Sequence, residues 1–288
     1  ENNPMAARAF MNRLWQMYFG HGLSRVIEDF GSQGEWPVNP ALLDFLANEF
    51  MKSGWDIKKM VKTIVQSKTY RLKTANSDEL RQQDPYNRFL ARQSILRLSA
   101  EFIRDNALKV SGLLVDKVGG RSVKPYQPKA YYQSMNHPRR VYQTDKGDNQ
   151  YRRGVYTHWQ RTFLHPFLKN FDAPSREEAT CARSVSNTPL QALTLLNDPT
   201  FVESARVLAV RIIKEGGSDV SSKLSWVFKE VLGRDIHSDE GKLLKSFYLG
   251  QLKHYKQNPA AASKLGMNGL TKLDTSVDKV ELAAWSAV

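Results

Sequence analysis

A single cysteine, Cys181, in 288 residues excludes an internal disulfide framework and any zinc site that needs two thiolates. It also excludes covalent haem attachment within this chain, because C-x-x-C-H needs a second thiol. Long apolar runs are missing too: stretches such as Gly112 to Val115 are broken by Asp or Lys within a turn or two, far short of the roughly 18 residues that span a bilayer. The zinc-protease H-E-x-x-H, the phosphate loop G-x-x-x-x-G-K-[ST], the dinucleotide G-x-G-x-x-G and the hydrolase G-x-S-x-G are all absent. No basic-then-apolar leader opens the chain, and no internal repeat is visible. The apolar pattern from Val280 to Val288 is still running at the last residue, so the chain reads as a fragment of a larger protein.

Acid is in short supply against base, 29 residues to 42 for a net charge of +13. With 41% hydrophobic and 10% aromatic residues the chain nevertheless has what a core needs. The charge is uneven. Residues 1–120 hold 17 basic and 13 acidic residues, 121–183 hold 12 and 5, and 184–288 hold 13 and 11. The middle stretch also carries Tyr126, Tyr131, Tyr132, Tyr142, Tyr151, Tyr156, Trp159 and three histidines. Cations hold anionic groups while flat rings stack on sugars or bases, so this mixture suits a polyanion or sugar site. The plainer reading pairs these arginines with neighbouring acidic helices.

Residues 1–115 read as helices. Pro4 to Phe19 places Phe10, Leu14, Met17 and Tyr18 on one face beside Trp15, stopped by Gly20 and Gly22. Asn39–Pro40 starts a second helix with the stripe Leu42, Leu43, Leu46, Phe50, and Asp56 caps a third through Ile57, Met60, Val61, Ile64 and Val65. Ser99 opens another, with Phe102, Ile103, Leu108 and Val110 expected inside. Periodicity fades over 116–187, where Val141–Thr144 and Val155–Trp159 could form a short hairpin. A stretch that long without pattern is where function is sought. Helical signals return over 188–288: the Thr188–Pro189–Gln191 capping box, Asp198–Pro199, and helices at about 219–232 and 238–257, with 258–276 poorly patterned. The fold expected is a single, mainly α, irregular multi-helix domain with a long loop-rich middle and at most that one hairpin.

His137, His158 and His165 have no standard metal spacing, so no metal is assigned. Cys181 lies near Arg176 and Arg183, which would favour thiolate, yet free cysteines are usually buried and inert, and burial is expected. Asp172, in the Phe171–Pro174 turn, reads as a base, a ligand or a cap of its own turn. The tryptophans read as core, Trp159 excepted.

A set of strings then becomes informative together: N-R-L-W-Q-M-Y-F-G-H-G-L from Asn12, D-F-G-S-Q-G-E-W-P from Asp29, G-W-D-I-K-K-M from Gly54, F-D-A-P-S-R from Phe171, T-P-L-Q-A-L-T-L-L-N-D-P from Thr188 and E-L-A-A-W from Glu281. They resemble the C-terminal domain of unknown function of large exported planctomycete-type proteins, which often carry an upstream cytochrome c-like domain. The resemblance implies a periplasmic or cell-surface location, other domains of the same polypeptide as partners, and haem, if any, on one of those domains. It supplies no catalytic residues.

The leading expectation is a non-catalytic binding or scaffold domain that engages an anionic partner such as acidic or sulfated polysaccharide, through Arg139, Arg140, Arg152, Arg153, Trp159, Arg161, Asp172 and Arg183. One alternative is a hydrolase-like or redox-associated enzyme using Asp172, Cys181, Arg183 and a nearby histidine. A nucleic-acid-binding module is the other, and suits the implied location less well.

Overall fold

The structure, a computed structural model, describes residues 3–74, 77–129, 131–134, 141–160 and 163–288. Twelve α-helices and two isolated bridges, with no sheet, make up its regular structure among these residues. Two compact units divide the chain: residues 1–97 with 180–182, and residues 98–179 with 183–288. The division therefore falls at Arg97, not at either end of the aperiodic middle.

In the first unit, α1 (Pro4–Phe19), α2 (Pro40–Lys52), α3 (Ile57–Gln66) and α4 (Asp78–Gln83) begin where local chemistry dictates. Asn3, Asn39, Asp56 and Ser77 each accept a hydrogen bond from a first-turn amide. α1 ends at Gly20, whose φ of +82° is the left-handed turn that glycine permits cheaply. The buried face of α1 is rotated from the expected one: Ala7, Met11, Leu14, Trp15 and Phe19 are inside, while Met17 is 69% exposed. They pack with Leu43, Leu46, Phe50, Met60 and Ile64 into one core. Two tryptophans expected in the core are not there: Trp36 is 80% exposed and Trp55 46%.

In the second unit, α5 (Ala100–Ser111), α6 (Pro166–Asn170), α7 (Pro189–Asn197), α8 (Pro199–Glu215), α9 (Val220–Leu232), α10 (Ser238–Gln257), α11 (Pro259–Gly266) and α12 (Lys279–Ala287) surround two cores. One gathers Ala209, Ile212, Leu224, Tyr248, Leu282 and Trp285; the other gathers Ala100, Leu164, Phe167, Leu168, Phe171 and Phe201. The poorly patterned 258–276 contains α11, opened by Asn258–Pro259. α5 departs most from expectation. Its buried face holds Glu101, Arg104 and Asp105 beside Ala100, Leu108 and Ser111, and Phe102 is 49% exposed.

The hairpin does not form. The Val123–Lys124 stretch takes both segments as partners instead: Val123 N–H donates to Tyr156 O, His158 N–H to Val123 O, and Asp145 N–H to Lys124 O. Single parallel bridges join Val115 to Arg152 and Val123 to Thr157. Short 3-10 turns at Tyr131–Ser134, Gly147–Tyr151 and Gly154–Tyr156 complete the segment.

Candidate functional site

The aperiodic middle is held by its own cations. Arg152 is 3% exposed; its guanidinium donates to the carbonyls of Lys117 (2.8 Å) and Arg121 (3.0 Å) and to Gly119, and lies 3.9 Å from the Tyr156 ring centroid. Arg121 in turn grips Asp145 at 2.7 Å. Arg153 Nε donates to Asp105 at 3.1 Å, and the same carboxylate accepts Gly154 N–H at 2.6 Å. Arg183 clasps Glu101 with both terminal nitrogens, at 2.6 and 3.2 Å. Burial raises the Glu101 carboxyl, but the hydrogen bond and charge of Arg183 outweigh it, so the carboxyl sits below its ordinary range.

The other candidates are engaged as well. Trp159 Nε1–H donates to Ser175 O at 3.1 Å while the Arg176 guanidinium lies 3.7 Å from its ring centroid. Asp172 caps no turn of its own; it accepts from Ser186 N–H (2.7 Å) and from Ser186 Oγ–H. Arg139, Arg140 and Arg161, with His137, lie outside the described residues. Every described member of the expected site thus has an intramolecular partner, and the backbone they bind is fixed by it.

The groups named for catalysis have separate surroundings. Cys181 is exposed, not buried, and counts with the first unit. Asp172 faces Ser186, Arg183 faces Glu101, and His165 is buried with Nε2 at 2.6 Å from Tyr126 O. Burial pushes the His165 imidazole down to about 4 and keeps it neutral. No group of three metal-capable side chains occurs among the described residues.

Beneath this segment lies a polar core that sequence reading missed. Glu203, 1% exposed, accepts from Tyr126 Oη–H (2.9 Å), Tyr151 Oη–H (2.8 Å), and the Thr271 N–H and Oγ–H (2.7 Å each). Burial, with the Glu203 charge behind it, pushes the Tyr151 phenol up to about 12 and raises Tyr126 as well. Arg206, also 1% exposed, donates to the Asn268 and Thr271 carbonyls. Arg104 donates to Thr200 Oγ and the Gln150 carbonyl. These bonds fix one arrangement in which each named carboxylate and guanidinium has intramolecular partners.

Uncompensated cations lie elsewhere. Between Asp56 and Lys73 the chain holds Lys58, Lys59, Lys62, Lys68, Arg71 and Lys73 against the single acid Asp56. All six are exposed, and among the described residues none has an ion pair. The cause is helical geometry: Met60 and Ile64 turn α3 into the core, so Lys58, Lys59 and Lys62 fall on the outward arc. The signal was legible as letters but vanished when charge was summed over the first 120 residues.

Among the concavities of the described residues, two differ in chemistry. In the second unit, a groove of about 490 Å³ is lined by apolar side chains, among them Leu196, Phe201, Leu208, Val227, Leu232 and Trp285. In the first unit, a mixed cleft of about 340 Å³ lies between Trp36, Pro37 and Phe30 on one hand and Arg8, Ser32 and Glu35 on the other. No described helix is long and apolar enough to cross a membrane.

These features define a helical module with a rigid polar interior, an outward cationic strip and no assembled catalytic constellation among its described residues. The chain belongs to the PSD1 family, described as protein of unknown function (DUF1553), whose profile matches residues 1–248. No curated protein and no solved structure matches it.

Proposed function

We propose that this chain is a non-catalytic binding or scaffold domain of an exported multidomain protein that engages an anionic partner, with acidic or sulfated polysaccharide the class that suits it. The observation that carries the reading is the unpaired strip from Lys58 to Lys73. Exposed cations without an ion pair keep their field for a partner, and six along one helix face and the turn after it offer a line of charge that a polymer can follow. The docking face thereby moves from residues 121–183 to α3, because the described arginines of the middle segment are engaged within the fold. A haem on another domain of the polypeptide belongs to the same proposal.

The test is binding of the chain to sulfated and carboxylated glycans over a salt series, with Lys58, Lys59, Lys62 and Lys68 changed together to Glu. Binding that weakens as salt rises, and falls at least about tenfold in the variant, is the expected result. Salt-independent binding, or a variant that binds as the parent does, removes the reading. Preference for duplex nucleic acid over glycans of equal charge would transfer the strip to the nucleic-acid alternative.

A further inference from the structure

The cleft beside Trp36 has a different chemistry from the cationic strip. Its ring is 80% exposed, the most exposed large aromatic of the described chain, and it has no aromatic or cationic partner among the described residues. A large ring left in water at the rim of a concavity is informative, because burying it would be favourable.

The loop that carries the ring is rigid. Asn12, fully buried on α1, brackets Ser24 with both ends of its amide: Nδ2–H donates to Ser24 O at 2.8 Å and Oδ1 accepts Ser24 N–H at 2.9 Å. Ser24 Oγ–H then donates to Glu35 O at 2.8 Å, and Val38 N–H to Leu23 O at 3.1 Å, pinning the chain on either side of Trp36. At Gly34 a Cβ would lie 2.0 Å from Asp29 O, so the turn closes only around glycine. A preformed platform has little ordering cost to meet on binding.

Two charged groups of the polar lining are tethered: Arg8 Nε lies 3.0 Å from Asp44 and Glu35 is ion-paired to Arg88. A ligand suited to this wall has one flat apolar face and a hydroxyl-rich edge. An acyl chain lacks the edge; the mainly apolar groove of the second unit is the lining it would want. We infer that the cleft is a pyranose subsite, in which one sugar ring of a glycan stacks on Trp36 and its hydroxyls meet Arg8, Ser32 and Glu35.

The inference does not depend on the strip, since it reads a ring and not a charge, and a neutral probe suffices. The full chain is applied to an array of neutral and acidic oligosaccharides at about 0.5 M salt, where surface charge is screened within a few Å. Hits are then titrated by tryptophan fluorescence with the parent, Trp36→Ala and Trp36→Phe. The expected result is binding to a neutral oligosaccharide that survives salt, weakens at least about tenfold in Trp36→Ala, is partly kept in Trp36→Phe, and is unchanged in the Lys-to-Glu strip variant. No retained oligosaccharide, undiminished binding by Trp36→Ala, or capture of free nucleosides in place of sugars would overturn it. Because Trp36 is exposed, an unchanged unfolding midpoint separates lost binding from lost fold.

Discussion

The strip along α3 and the arginine-rich middle segment are both basic stretches, and their described cations meet opposite fates. Against the middle segment, α5 turns Glu101 and Asp105 inward, and Arg183 and Arg153 close on them. At α3, the inward positions are Met60 and Ile64, which leave the cations nothing to pair with. The contrast teaches that basic composition becomes basic surface only where the neighbouring element withholds carboxylates and free carbonyls. Counting charges locates the cations; the buried face of the adjoining helix decides what they do.

The comparison breaks if buried charge in the second unit is dispensable. Glu203→Ala should cost about 3–5 kcal/mol, because it strands Arg206 and four donors in the interior; denaturant unfolding measures it, and a loss under about 1 kcal/mol would contradict the network described. Next in size is a pH effect at His165. Its folded pKa, near 4, lies below the ordinary 6.5, so the unfolded chain binds the proton first as pH falls. The His165 contribution is fully present above pH 6.5 and is lost on acidification, by about 3 kcal/mol at pH 4; His165→Gln should flatten that part of the stability profile. The smallest effect sharpens the other side. Changing Lys58 and Lys62 to Gln should move stability by less than about 0.5 kcal/mol per site, and a larger loss would mean that the strip has a partner within the fold.

Much of the helical frame was legible because its signals are local. Asn39–Pro40, Asp56, Thr188–Pro189–Gln191 and Asp198–Pro199 each act within one turn, and helices start at all four. Asn258–Pro259 repeats the letters of the same signal and opens α11 with Pro at its first turn, although the Asn258 side chain makes no cap bond, so that helix was readable too. α5 was not. Its charges turn inward because residues 46 to 96 positions on supply the complementary groups, and no one stretch reveals this alone. Trp36 differs for a related reason: a tryptophan among helices reads as core, while the loop geometry that holds it outward depends on Asn12 and Ser24 pairing across a turn. Of the expected ligand-binding residues, sequence located the arginines of an unusual segment but not their direction, which depends on non-local partners.

The carbonyl clamp of Arg152 has a consequence for how freely this protein can change. The guanidinium grips oxygens of the main chain at Lys117, Gly119 and Arg121, oxygens that do not depend on side-chain identity, although Gly119 and Gly120, at φ of +79° and +85°, are themselves held to glycine. An outward side chain on that bend, Val118 at 85% exposure, is therefore released from holding it, while Arg121 keeps its grip on Asp145. Such a bend is a natural place to graft a foreign epitope or label, since its shape is dictated from beneath by a residue more than thirty positions away.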